Sequence, residues 1–148
     1  MKHDNIFARV PNGTKALLEM EKYFTTIDID PIIKELIKIR ASQINGCAYC
    51  LNMHTVDALK IGETPQRIFL LNAWHETDLF SEKEKVTLEL VEKLTLVTEH
   101  HIDEDLYSRL SKYYDKEDFA NLLLLITQIN TWNRLNIAYQ NDIDKNYK

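Results

Sequence analysis

The chain reads as an all-α protein, and three observations predict it. Glycine and proline are scarce, three of each among 148 residues, and a β-rich protein of this size needs more turn residues than that. Apolar residues recur at helical spacing along most of the chain. The punctuation between these stretches is helix-start and helix-stop chemistry, with no internal repeat, low-complexity tract or Gly/Ser linker.

Taken in order, Thr14 to Phe24 carries Leu17, Leu18, Met20, Tyr23 and Phe24 and reads as a first helix. Asp30-Pro31 is a strong start signal, Asp as N-cap and Pro at the first helical position. Behind it Ile33, Leu36, Ile37, Arg40, Ala41 and Ile44 fall on helical spacing, and Gly46 is placed to end the helix. The next helix opens at Cys47 and runs to Lys60, with Gly62 beyond. Ala48, Leu51, Thr55, Ala58 and Leu59 form one stripe on it; Cys47, Cys50, His54 and Asp57 fall on a neighbouring face. Thr64-Pro65 starts another helix through Ile68, Leu71 and Trp74. Ser81 to Glu84 reads as a capping box, ahead of Val86, Leu90, Val91, Leu94 and Val97. His100-His101 reads as a pair at that helix's C-terminal end, favoured by the dipole. A short helix follows Asp103, with Leu106, Leu110 and Tyr113. The last is expected from about Glu117 to Tyr139. It is apolar nearly all round over Leu122 to Ile126, which predicts burial in the core or in a subunit interface. Trp74, Trp132, Tyr113 and Tyr114 are read as packing residues. His75 is set aside as a ligand or base because adjacent helical residues face apart.

Length and composition bound the function. One domain, residues 1–148, is expected from the length. The hydrophobic share of 45% is not a disordered composition. A net charge of −5 without a Lys/Arg block argues against nucleic acid as a partner. Met1 to Asn5 opens no apolar run, so no signal peptide is expected, and Leu122 to Ile126 is too short to span a bilayer. The expected location is therefore cytoplasmic, where a C-x-x-C pair reads as redox-active or metal-binding.

The chemistry concentrates in one run. Glu35, Cys47, Cys50 and His54 form the pattern E-x11-C-x2-C-x3-H, which contains both cysteines of the chain. Cysteines at i and i+3 of a helix have Cα atoms about 5 Å apart, inside the disulfide window. A cysteine in the first turn gains from the unpaired amides and dipole there, which favours Cys47 as a thiolate. Cys50 and His54, at i and i+4, share a face, so His54 is placed to take the Cys50 proton. Glu35 reaches the same face if the two helices pack antiparallel across Gly46. The same four side chains also have the chemistry of zinc ligands.

The joint spacing resembles the active-site signature of the AhpD-like alkylhydroperoxidases of the carboxymuconolactone decarboxylase superfamily. Glu35-Leu36, Ile39 to Cys47, Met53-His54-Thr55 and Asp57-Ala58 agree with it, as do Gly62-Glu63-Thr64, Asn72-Ala73-Trp74 and Asn130 to Leu135. The resemblance covers residues of about 6 to 140. It implies an all-α fold of about six to seven helices, and a homo-oligomer, trimer or hexamer. It implies a peroxidase acting through a Cys47–Cys50 dithiol/disulfide cycle in antioxidant defence. Carried over, Cys50 attacks the peroxide, Cys47 resolves, and Glu35 with His54 relays the proton. The implied partners are a peroxide and an external dithiol reductant or protein donor, with no cofactor, resident metal or membrane. Tyr49 stands where well-known members often carry a second histidine, and a tyrosine does not titrate near neutrality. The decarboxylase branch, which acts on a lactone acid, generally lacks the cysteine pair. The competing readings are a non-enzymatic zinc-binding or redox-sensing oligomer and a lactone decarboxylase-type relative.

Overall fold

A computed structural model describes residues 6–148, so Met1 to Asn5 lie outside it. Eight α-helices follow one another among the described residues: α1 (Ile6–Arg9), α2 (Pro11–Phe24), α3 (Pro31–Asn45), α4 (Ala48–Lys60), α5 (Pro65–Leu70), α6 (Glu82–Thr95), α7 (Glu104–Leu110) and α8 (Lys116–Tyr139). A 3₁₀ turn, Leu71–Glu76, continues α5. Helices α2 to α8 match the expected number, and the single turn α1 comes in addition. None is long and apolar enough to cross a membrane.

The start signals act as their chemistry predicts. Asp30 Oδ1 accepts from the Ile32 amide at 2.7 Å, ahead of Pro31 in the first turn of α3. Ser81 and Glu84 close a reciprocal capping box at the start of α6. Asp103 and Asp115 cap α7 and α8. The first long helix begins at Pro11, three residues before the expected Thr14, because proline suits the first helical position.

α3 organises the molecule because it is apolar on two sides. Ile33, Ile37 and Ala41 face a core shared with α2, α6, α7 and α8, including Phe24, Leu90, Leu106, Leu122 and Ile126. Leu36 and Ile39 face a second core with Ala58, Ile68, Leu71, Trp74, Phe80 and Leu88. Each fully buried Leu or Ile contributes about 1.5–3 kcal/mol, so α3 is fixed from both sides and its remaining faces are free to carry polar groups.

The α3–α4 corner is closed by a Schellman turn. Gly46 has φ +71°, the Gly46 amide donates to the Gln43 carbonyl at 3.3 Å, and the Cys47 amide to the Ser42 carbonyl at 3.0 Å. Cys47 ends this turn and is also the N-cap of α4, so the chain reverses within two residues. Gly46→Ala is expected to destabilise the fold by about 1–2 kcal/mol, the cost of a left-handed L-residue. An added Cβ meets nothing within 4 Å, so the cost is conformational alone. An unchanged urea midpoint would refute it.

Side-chain burial adds detail to these helices. On α4 the buried line is Cys47, Cys50, His54 and Ala58, and Leu51 packs partly buried on the second core, whereas Ala48 and Leu59 are exposed; the chemical face is turned inward together with part of the aliphatic stripe. Val97 lies beyond the end of α6 and is exposed, as is Tyr113 beyond α7. His100 and His101 sit past Thr95, the last residue of α6, and the His100 amide donates to the carbonyl of the C-cap Leu96 at 3.0 Å. Leu122, Leu125 and Ile126 are buried in the core, and Leu124 faces outward at 43% exposure within the single chain.

Candidate functional site

The antiparallel α3–α4 hairpin brings Glu35 and His54 together. Glu35 Oε2 lies 2.9 Å from His54 Nδ1, and Lys38, one turn along α3, donates to Glu35 Oε1 at 2.8 Å. His54 is buried and Glu35 nearly so. Burial alone pushes the Glu35 carboxyl up, but the His54 hydrogen bond and the charge and hydrogen bond of Lys38 outweigh it and hold it below its ordinary value. A carboxylate on Nδ1 selects the tautomer protonated there, leaving Nε2 as the proton acceptor.

Cys47 and Cys50 are joined as a disulfide with Cα atoms 5.4 Å apart, as helix spacing requires. Both are 1% exposed. Cys47 occupies the N-cap itself, not the first turn, and its Sγ accepts from the Cys50 amide at 3.3 Å. Cys50 sits in the first turn, where the dipole argument made for Cys47 applies to it as well.

A cavity of about 440 Å³ opens over Cys50 and His54. Its walls are mostly apolar, with Met53, Leu125, Ile129 and Trp132 among them, and Tyr49 stands at Cys50's side. The N-terminal helices close it. The Phe7 ring meets Trp132 edge-on at 5.7 Å, and Trp132 Nε1 donates to Glu21 Oε1 at 2.7 Å.

α8 supplies polar residues to which the sequence reading assigned no role. Asn130, Asn133 and Asn136 are buried and spaced by three residues on an otherwise apolar face. Asn45, next to the Gly46 corner, donates to Asn130 and Asn133 at 2.9 Å each. Asn133 donates to Ser42 Oγ at 2.9 Å, so α8 braces the corner that carries the cysteines. Asn136 Nδ2 points at Cys50 Sγ, 3.8 Å away. The signal was an asparagine at every third position, Asn130, Asn133 and Asn136, in the half of α8 beyond its apolar Leu122 to Ile126 run.

Glu35, His54 and Asp57 form a cluster whose ligand atoms lie within 4.8 Å of one another. Each already has protein partners. Tyr147 of the C-terminal segment donates to the Asp57 carboxylate at 2.9 Å, and Lys60 pairs with Asp57 at 3.1 Å. The zinc reading drew on Cys47 and Cys50, whose sulfurs are bonded to each other here. His75 lies away from this site. Its ring stacks on that of its neighbour Trp74 at 4.2 Å, although adjacent helical residues are expected to face apart.

The model of the carboxymuconolactone decarboxylase family matches residues 11–93. The uncharacterized protein YdfG of Bacillus subtilis strain 168 is 50% identical over 131 residues, 88% of this chain and 89% of its own length. A solved protein of unknown function from Agrobacterium tumefaciens, provisionally assigned as the antioxidant defence protein AhpD, superposes with a TM-score of 0.92 at 29% identity. The match covers 97% of this chain and 99% of that one. The debrominase Bmp8 shares the fold, with a TM-score of 0.79 at 20% identity over 94% of this chain and 75% of its own.

Proposed function

The chain belongs to the carboxymuconolactone decarboxylase family, and from that premise we propose that it is an AhpD-like thiol peroxidase that reduces organic peroxides in antioxidant defence. The observation that carries the reading is that Cys50, bonded to Cys47, and His54, held by Glu35, open together on one apolar cavity.

The chemistry runs in three steps. His54 Nε2 takes the Cys50 proton, and the carboxylate of Glu35 stabilises the imidazolium that forms. The Cys50 thiolate attacks the distal peroxide oxygen. The O–O bond breaks, the alkoxide leaves with the proton from His54, and Cys50 becomes a sulfenic acid. Cys47 Sγ then attacks Cys50 Sγ as its own thiol proton passes to the departing hydroxide, so a disulfide forms and the oxygen leaves as water. An external dithiol returns the pair to thiols by exchange. The apolar walls favour an alkyl or aryl peroxide, whose organic group gains by leaving water. A zinc-holding role needs both sulfurs as free thiolates, and the bonded pair supports the redox role over it.

Reduced protein treated with one equivalent of cumene hydroperoxide is expected to lose both thiols to a Cys47–Cys50 disulfide within one chain, and to react more slowly with hydrogen peroxide. Two free thiols after treatment, or stoichiometric zinc on freshly purified protein, would sink the reading.

A further inference from the structure

Among the groups around Cys50, the side chain of Asn136 has no place in the steps above. It reaches the sulfur from α8, a different helix from the one that carries the cysteines. Its amide is held in a single orientation. Nδ2 donates to the Trp132 carbonyl at 2.9 Å, and Oδ1 accepts from Asn141 Nδ2 at 2.7 Å. The second N–H of Nδ2 is thereby left for Cys50 Sγ, at 3.8 Å. Asn141 is brought into place by the end of α8, where Gln140 turns left-handed and the Asn141 amide donates back to the Asn136 carbonyl at 3.1 Å. Asn136 is 5% exposed and lines the cavity beside Cys50.

The two sulfurs therefore have separate donors. Cys47 Sγ has the backbone amide of Cys50, and Cys50 Sγ has Asn136. A hydrogen bond to a charged acceptor is stronger than one to a neutral acceptor, so a donor aimed at sulfur favours thiolate over thiol.

We propose that Asn136 is a catalytic residue that holds the negative charge on Cys50 when it attacks, and that Asn141 is a positioning residue that fixes the amide for this task. The proposal rests on Cys50 being the attacking thiol. When Cys50 loses its proton to His54, the charge on Sγ is met by the Asn136 N–H. Asn136 exchanges no proton or electron, so the balance of the peroxidase steps is unchanged.

The test isolates Cys50 in the Cys47→Ser protein and follows its alkylation by iodoacetamide across pH, with and without Asn136→Ala. The titratable groups on the surrounding walls are Glu21 from α2, Lys38 from α3, and Tyr49 and His54 from α4, with Glu35 behind His54. All are the same in the two proteins compared. The alkylation midpoint is expected to move up by roughly one pH unit, a tenfold loss of thiolate below it. Asn141→Ala is expected to give a smaller shift in the same direction. It keeps the test decisive if Asn136→Ala does not fold. Coincident curves for the folded variants overturn the proposal, as does a downward shift. Iodoacetamide needs no peroxide chemistry. A wild-type protein that ignores peroxide would sink the peroxidase reading, and the alkylation curves would still decide the role of Asn136.

Discussion

Cys50→Ser is expected to abolish peroxide consumption, whereas Cys47→Ser consumes one equivalent and stops at a sulfenic acid that dimedone traps on Cys50. The two cysteines are equally buried and bonded to each other, so burial does not assign the roles. Their surroundings differ. Cys50 opens on the cavity with His54 one helical turn away. Cys47 stands at the corner, its amide committed to closing α3 and its sulfur to capping α4. A substrate entering the cavity meets Cys50 and its base together. Intact peptides from peroxide-treated Cys47→Ser, analysed by mass, carry the test. A dimedone adduct on Cys47 in Cys50→Ser, formed as fast as in wild type, would reverse the assignment.

What the sequence discloses about the site follows from how far apart the partners lie along the chain. Cys47, Cys50 and His54 belong to one helix, so helical spacing alone relates them. Glu35 is 19 residues from His54, yet the link is legible because Gly46 marks a reversal between two helices and the pairing follows from counting turns back from it. Asn136 is 86 residues from Cys50, and nothing local states that α8 crosses the cysteine end of α4. Lys38 was hidden for another reason. Its pairing with Glu35 is an ordinary i, i+3 contact, and only its place on the cavity wall gives it a bearing on the chemistry.

The fold shows the same division. Caps and breakers are local, and Asp30, Ser81, Asp103 and Asp115 stand where their hydrogen bonds require. Which face of a helix is buried is not local. α4 offers an aliphatic stripe, but it packs between α3 and α8, whose own apolar faces are directed at the two cores. The cysteines, His54 and Ala58 are what then fits inside. The inward turn of the reactive face conceals the thiols from bulk solvent except through the cavity. The polar contacts from Glu35, Asn136 and the Asn45–Asn133 brace offset the cost of burying it.

Glu35→Gln and His54→Asn are each expected to slow peroxide consumption by roughly 10²–10⁴-fold, the usual worth of a general base. The double variant is expected to be hardly slower than the worse single one. The reason is the 2.9 Å contact between Glu35 Oε2 and His54 Nδ1. Glu35 acts only through the imidazole, by fixing its tautomer and stabilising its charged form, so once His54 is gone Glu35 has nothing to act on, and groups in one relay are not additive. The other Glu35 oxygen is held by Lys38, so glutamine there loses an ion pair as well. The loss has its own pH signature. The folded-state carboxyl sits below the ordinary glutamate value of 4.5, so its contribution to stability is present above that value and lost as pH falls through the lowered one. The stability deficit of Glu35→Gln is therefore largest near neutrality and shrinks in acid, whereas the catalytic deficit is read at neutral pH on folded protein. Stopped-flow peroxide consumption on the three variants settles the point: losses that multiply in the double variant mean independent roles, and an unimpaired Glu35→Gln removes the carboxylate from the mechanism.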